Sequence, residues 1–152
     1  MRSCFFIGHR NVTDDILSAV NKTVERYITE YDTKFFTVGH YGQFDRLAAK
    51  AVLVAKRRYP DVKLTLLLPY HPGEQPIRVP DGFDNTFYPP GMEYVPRRFA
   101  IVRANRYMID NSDYLIAYVW HAASGARNLL EYAQRREDKG LIHIENLGDS
   151  GF

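Results

Sequence analysis

Short apolar runs alternate along the chain with longer segments in which apolar residues recur every three or four positions. Runs at residues 3–8, 34–38, 63–68, 113–119 and 141–144 have the length and composition of buried parallel strands. The segments between them, except for one irregular stretch, have the period of amphipathic helices. The pattern therefore predicts five strands and four helices.

Residue types that favour helix ends set the bounds of these helices. A hydroxyl-bearing residue is a typical N-cap, a proline suits the first turn, and a glycine suits the position after the last turn. The predicted helices span residues 13–31, 44–59, 96–111 and 124–139. Thr13 and Ser124 are the expected N-caps, Pro96 lies in a first turn, and Pro60 and Gly140 end their helices.

Strands joined by helices require right-handed crossovers, and these produce a parallel sheet that is covered on both faces. The expected fold is α/β, a Rossmann-like three-layer sandwich with a mostly parallel five-stranded sheet. The chain has 152 residues, of which 45% are hydrophobic, and this size suits a single domain over residues 1–152. In such sheets ligands bind at the carboxyl ends of the strands, where the strand order reverses.

Residues 70–95 break the alternation with five prolines, three glycines and several aromatic residues. An irregular insertion of this length in a compact domain is usually functional or disordered. Its aromatic residues favour packing over disorder, so we expect a lid or a contact with a partner.

Charge and cysteine content exclude several classes of protein. Lys and Arg number 20 against 18 Asp and Glu, a balance that argues against a dedicated nucleic-acid surface. The single cysteine, Cys4, lies in the first apolar run and is expected to be a buried hydrophobe. No apolar run has the length of a membrane span, so we expect a cytoplasmic protein without a membrane partner.

Two predicted strands run through glycines into a helix. The first such turn contains Gly39 and Gly42, and the second contains Ser124 and Gly125. The free amides and the positive dipole end at a helix N-terminus favour a phosphate or carboxylate. Two of these turns on one sheet predict a shared anion site.

Histidines and arginines follow the predicted strands. His9, His40, His71 and His121 each come just after a strand, so the sheet places them on one rim. Convergence with Asp45, Glu74 or Glu131 would create a zinc or manganese site, but the chain has no H-x-x-x-H or C-x-x-C spacing. Contacts to phosphate or ribose are therefore favoured, and no metal or other cofactor is expected. Arg10, Arg106 and Arg127 are the candidate phosphate ligands, since a guanidinium matches phosphate oxygens.

Two carboxylates lie in the first turns of predicted helices. Asp45 and Glu131 are candidate general acids or bases, although the helix dipole alone favours an acid there. Glu131 follows Arg127 by four residues, so a helical ion pair also explains it. Tyr41 and Trp120 are candidates for stacking on a base.

Four motifs in chain order resemble the SLOG superfamily, and more narrowly its YpsA-like branch. They are IGHR at residues 7–10, GQFDRLAA at 42–49, NRYMIDNSD at 105–113 and SGARNLLEYA at 124–133. The superfamily includes Rossmann-like relatives such as the Lonely Guy phosphoribohydrolases, DprA and the SLOG domains of TRPM channels. The chain departs from the family pattern at His40, which replaces a glycine, and at Ser124 and Ala126, where the family tends to have Gly and Thr.

The resemblance implies binding of a nucleotide or nucleotide-derived ligand, such as ADP-ribose, an NAD-like molecule or a nucleotide sugar. Related domains often associate, so a homo-oligomer is expected. Glu131 falls in register with the glutamate of the Lonely Guy motif, which makes it and Asp45 the catalytic candidates. The predicted ligand-binding residues are Gly8, His9, Arg10, Gly39, His40, Tyr41, Gly42, Asp45, Arg106, His121, Ser124, Gly125, Ala126, Arg127 and Asn128.

Three functions agree with these features. The first is a sensor or regulator that binds a nucleotide-derived ligand. The second is a hydrolase that cleaves an N-glycosidic bond in a nucleoside monophosphate or an NAD derivative. The third is a protein-interaction module that acts through residues 70–95.

Overall fold

A single parallel sheet forms the middle layer of the computed structural model, which describes residues 2–121 and 124–149. Within the described residues the sheet has six strands in the order β4-β3-β2-β1-β5-β6, and every pairing is parallel. The strands are β1 (Arg2–Gly8), β2 (Thr33–Val38), β3 (Lys63–Leu67), β4 (Asn85–Phe87), β5 (Tyr114–Tyr118) and β6 (His143–Asn146).

In the part of the chain that the structure describes, four α-helices cover the two faces of the sheet, as the hydrophobic pattern predicts. Short 3-10 turns occur at Asp14–Ile16, Met92–Tyr94, Arg97–Phe99 and Leu147–Asp149. The helices are α1 (Leu17–Tyr31), α2 (Gln43–Lys56), α3 (Ala100–Asp110) and α4 (Gly125–Glu137). The α/β three-layer fold is therefore confirmed.

Alternation along β1 explains why this strand is apolar throughout. Cys4 and Phe6 lie in the core beneath α1 and α2, whereas Phe5 and Ile7 lie in the core beneath α3 and α4. All four side chains are at most 4% exposed. Because successive side chains of a strand point to opposite faces, a strand covered on both faces needs an apolar residue at every position.

The sheet has one strand more than the sequence predicts. β4 lies inside the insertion at residues 70–95, where it pairs with the edge of β3. Its sequence, Asn-Thr-Phe, is short and mostly exposed, so it has no hydrophobic pattern that would predict it. The Asp84 carboxylate holds the start of this pairing, because it accepts a hydrogen bond from the Leu64 amide at 2.8 Å and pairs with Lys56.

Several other predicted boundaries are wrong. Pro96 is not in the first turn of α3, because the 3-10 turn Arg97–Phe99 comes before the helix, which starts at Ala100. The second helix, α2, ends at Lys56 and not at residue 59.

Thr13 does not cap α1, because its hydroxyl contacts the Asp15 carboxylate and a 3-10 turn comes before the helix. β6 starts two residues later than predicted and continues to Asn146, whose side chain bonds to both the amide and the carbonyl of Val119. Gly140 is confirmed as the helix stop, since its φ of 73° is in the left-handed region.

Part of the insertion packs on the domain, mainly through its aromatic residues. Ile77, Phe83 and Tyr88 contact the core beneath α1 and α2, while Tyr70 and Phe87 contact the core on the other face. Its packing is therefore as expected, and its role as a lid or partner contact stays a prediction. Among the described residues, no helix combines the length and the apolar character that crossing a bilayer requires.

Gly8 ends β1 where the ring of Phe44 in α2 lies against the strand. A Cβ at this position would lie 2.4 Å from the Phe44 ring, and Phe44 is fully buried. We expect Gly8→Ala to lower the free energy of unfolding by about 1–3 kcal/mol, because the ring has no space to move into. Urea unfolding measures this loss.

Gly125→Ala is the matched control for this substitution. A Cβ at Gly125 meets no described atom within 4 Å, and helix propensity favours alanine. The control should unfold at the same or a slightly higher urea concentration. Equal stability of the two variants would contradict the packing account of Gly8.

Candidate functional site

The strand order reverses at β1, which pairs with β2 on one side and with β5 on the other. A cavity of about 520 Å³ opens at the carboxyl ends of these strands. It brings together ten of the predicted ligand residues: Gly8, His9, Arg10, Gly39, Tyr41, Asp45, His121, Ser124, Gly125 and Ala126.

The N-terminus of α4 presents free donors to this cavity. Ser124 is the N-cap, with its Oγ accepting a hydrogen bond from the Arg127 amide at 3.1 Å. The amides of Gly125 and Ala126 precede the first helical hydrogen bond and have no acceptor among the described residues. Because both residues line the cavity, the positive end of the helix dipole faces it as well. This end of the cavity favours an anion.

Gly125 differs from the other glycines around the site. A Cβ at Gly39 would lie 2.9 Å from the Asp45 carboxylate, and one at Gly42 would lie 2.9 Å from the Arg10 backbone. Those glycines are needed for the packing of the chain itself. Gly125 needs no such space among the described residues and has no positive φ, so a glycine there keeps the cavity open beside the α4 amides.

The N-terminus of α2 reaches the same region, but its first amide has an acceptor and its first turn contains a carboxylate, that of Asp45. The amide of Gln43 donates to the Arg10 carbonyl at 2.9 Å. The Asp45 carboxylate accepts from the Tyr41 amide at 3.2 Å. The two helix N-termini therefore converge on one region, and a single anion shared between them stays a prediction. The α2 end already has its carboxylate.

Asp45 is the ionisable group in the cavity with the largest change in acidity. Burial raises the pKa of its carboxyl to about 6, although the Tyr41 amide and the charge of Arg10 both oppose the rise. The carboxyl is therefore poised to exchange a proton near neutral pH. When ionised it repels a phosphate and accepts hydrogen bonds from hydroxyl or amino groups. When protonated it can donate one.

His9 holds the turn that leads from β5 to the cavity. Its Nε2 accepts a hydrogen bond from the Trp120 amide at 3.0 Å, which places the proton of the neutral ring on Nδ1. The ring stacks on His121 with centroids 3.9 Å apart, and Trp120 contacts both rings edge-on. Burial, and next the neighbouring His121, lower the pKa of His9. The ring is therefore neutral at physiological pH and stabilises the approach to α4. Residues 122 and 123 of this turn lie outside the described residues.

Two arginines supply positive charge to the cavity. Arg10 follows β1, and Arg98 lies in the 3-10 turn before α3. Neither guanidinium pairs with a carboxylate among the described residues. Arg98 is a site residue that the sequence analysis did not identify. Asn105, seven residues further along the chain, also lines the cavity. Residues seven apart lie on the same face of a helix, so the spacing of this polar pair was the sequence signal for both.

Six of the predicted residues do not line this cavity. Arg127 pairs instead with Glu131, with 3.2 Å between Nε and Oε1, as the ion-pair explanation of Glu131 anticipates. Arg106 lies over the ring of Tyr132 at 5.0 Å, on the outer surface of α3 and α4. His40, Gly42, Arg106, Arg127, Asn128 and Glu131 are the residues outside.

Two further histidines, His40 and His71, make contacts within loops. His40 stacks on the Tyr41 ring at 4.1 Å, and the Nδ1 of exposed His71 accepts from the Gly73 amide at 2.9 Å, so each stabilises a loop. The described residues contain no group of three or more His, Cys, Asp or Glu side chains arranged to hold a metal. Comparison with protein-family models and with curated proteins gives no match. The site is therefore interpreted from its geometry.

The raised pKa of Asp45 makes stability depend on pH. The folded chain holds the Asp45 proton with a pKa of about 6 against an ordinary value of 3.8. Ionisation therefore costs stability, and this loss grows from about pH 4 to about pH 6 and persists above it. We expect Asp45→Asn to be more stable than the natural chain by up to about 3 kcal/mol at about pH 8, and to lose this advantage at about pH 4.

Urea unfolding of both proteins across this pH range measures the difference. Comparing the two chains cancels the contributions of other carboxylates, such as Asp84, whose pKa is lowered by Lys56 and the Leu64 amide against the effect of burial. A difference that stays constant with pH would contradict the assignment.

Proposed function

We propose that the protein binds a nucleotide or nucleotide-derived molecule in the cavity at the carboxyl ends of β1 and β5, and that it acts as a sensor or regulator. The observation that carries the proposal is the pair of free amides at Gly125 and Ala126, which face a cavity with unpaired arginines. The phosphate of the ligand lies at these amides. Helix N-termini of this kind are common phosphate sites in α/β folds.

The rest of the cavity suits the uncharged parts of a nucleotide. Ile101, Val102 and Leu129 form an apolar wall from α3 and α4, against which a base can be buried. The Asp45 carboxylate accepts hydrogen bonds from ribose hydroxyls, whereas it repels the negative charge of a bare phosphate. The volume of about 520 Å³ is within the range of small-molecule sites.

The motif resemblance described above supports the same function, and SLOG membership is part of this proposal. A homo-oligomer is proposed on the same ground, because related domains associate. The chain is also proposed to work in the reducing cytoplasm, where its buried Cys4 stays a thiol. ADP-ribose, NAD-like molecules and nucleotide sugars are the ligand classes to test.

A pair of variants at Gly125 tests the phosphate position. Gly125→Asp places a carboxylate at the α4 amides, while Gly125→Asn places a neutral group of the same shape there. An acid in the first turn of a helix does not destabilise it, so both variants should fold. We expect adenosine monophosphate to bind the Asp variant at least about tenfold more weakly than the Asn variant, because like charges repel at short range.

Isothermal titration calorimetry at low salt gives the two affinities. Arg103→Ala, on the exposed surface of α3 and outside the cavity, should leave the affinity unchanged. Equal affinities for the Gly125 pair would contradict the phosphate position. Absence of binding by adenosine monophosphate, ADP-ribose and NAD would contradict the function itself.

Hydrolysis of an N-glycosidic bond is the second candidate, and Asp45 is the observation that favours it. A half-buried carboxyl with a pKa of about 6 in a ligand cavity is suited to protonating a departing base or activating water. The other catalytic candidate, Glu131, is exposed and paired with Arg127 outside the cavity. Of the two carboxylates that are candidates for catalysis, Asp45 lines the cavity and Glu131 does not.

Release of free adenine from adenosine monophosphate separates the two candidates. A hydrolase that uses Asp45 should lose at least about a hundredfold in turnover in Asp45→Asn, with no comparable loss in Glu131→Gln. Liquid chromatography of the reaction measures adenine directly. Binding without adenine release supports the sensor, and release that persists in Asp45→Asn would contradict the role of this carboxyl.

A further inference from the structure

A second groove adjoins the cavity and shares two of its lining residues, Arg10 and Asn11. It is open to solvent and has a volume of about 510 Å³. The nucleotide assigned above does not use it. Its other lining residues are Val12, Thr13, Gly42, Gln43 and Arg46.

The wall between cavity and groove is fixed by backbone contacts. The Arg10 carbonyl accepts the first amide of α2, from Gln43. Gly42 has a φ of 147°, and a Cβ there would lie 2.9 Å from the Arg10 Cα. Glycine at this position lets the turn after β1 lie directly against α2. The Arg10 backbone is therefore held in place while its exposed side chain borders both spaces.

Two positive charges at this groove are not neutralised by an ion pair with a described residue, although Arg10 is near enough to Asp45 to oppose the rise in the pKa of its carboxyl. Arg10 and Arg46 are exposed, and neither makes an ion pair or a side-chain hydrogen bond with any described residue. Asp45, next to Arg46, accepts from the Tyr41 amide at 3.2 Å, and the two carboxylates that follow Arg10 along the chain are also engaged. Asp14 accepts from the Gln43 side chain at 3.0 Å, and Asp15 contacts the Thr13 hydroxyl.

A guanidinium matches the oxygens of a phosphate. Two guanidinium groups beside one groove therefore favour a phosphate over an uncharged sugar hydroxyl. The main cavity already contains one anion position, at the α4 amides. Arg10 borders both spaces, so a ligand that extends past it reaches the groove without leaving the protein surface.

We propose that the groove is a second subsite, in which Arg10 and Arg46 bind a second phosphate of the same ligand. The inference rests on the proposed function. It narrows the ligand class to nucleotides whose phosphate is joined to a further phosphorylated sugar or nucleoside. A nucleoside monophosphate fills the cavity alone and leaves the groove to water.

Adenosine monophosphate and ADP-ribose test this subsite, because the second molecule contains the first and adds a ribose phosphate. We expect the unsubstituted chain to bind ADP-ribose at least about tenfold more tightly than adenosine monophosphate, as a charge-assisted contact to phosphate implies. Arg46→Ala should remove most of this difference and leave the affinity for adenosine monophosphate within about twofold. Calorimetry at fixed ionic strength measures both ligands.

Lys50→Ala is the matched control, because Lys50 is an exposed cation four residues further along α2 and outside the groove. It should change neither affinity. Arg46→Lys keeps the charge and should retain part of the preference for ADP-ribose.

The outcomes separate this inference from the proposed function. Binding of adenosine monophosphate with no preference for ADP-ribose overturns the second subsite and leaves the first in place. Equal weakening of both ligands in Arg46→Ala also overturns it, because Arg46 then acts on the first phosphate or on the fold. Failure of both ligands to bind overturns the proposed function and the subsite together.

Discussion

Parallel pairing of β1 with β2 on one side and β5 on the other forces two helices to begin at the same crevice. Each helix brings the positive end of its dipole and its first amides. At α2 the Arg10 carbonyl accepts the first amide, from Gln43, and the Asp45 carboxylate supplies a negative charge in the first turn. At α4 the amides of Gly125 and Ala126 have no acceptor among the described residues. This asymmetry gives the cavity its chemistry.

Under the proposed function, the ligand carries a partner for each end of the cavity, the anion-binding end and the carboxylate end. A phosphate at α4 is attracted by the helix dipole and by the arginines, while at α2 the ionised Asp45 repels it. A ribose hydroxyl has the opposite preference. A nucleotide satisfies both ends in one orientation, whereas inorganic phosphate satisfies only one. Burial of Asp45 outweighs the Tyr41 amide and the charge of Arg10, and it raises the pKa of the carboxyl to about 6.

The sequence predicts the layers of the fold because strands buried on both faces and amphipathic helices leave strong patterns. It also predicts the cavity, since parallel topology alone places Gly8, Gly39 and Gly125 at one edge of the sheet. β4 leaves no pattern, because an exposed three-residue edge strand is defined by its pairing with β3. The sequence does not predict the position of the Asp45 carboxylate either, because that position depends on a hydrogen bond from the Tyr41 amide.

The sequence predicts the cavity-lining residues whose position the backbone sets. It fails for residues whose side chains can turn to another partner. Glu131 and Arg127 are four residues apart on α4 and satisfy each other, so neither reaches the cavity. Arg98 reaches it from a turn that periodicity describes only as the start of a helix.

Backbone amide resonances test the central claim most directly, because the account assigns the ligand phosphate to particular N–H groups. In an isotope-labelled sample titrated with adenosine monophosphate, the amides of Gly125 and Ala126 should show the largest shifts. Those of Gln43 and Phe44 at the start of α2 should change little. Largest shifts at the start of α2, with Gly125 unaffected, would contradict the account.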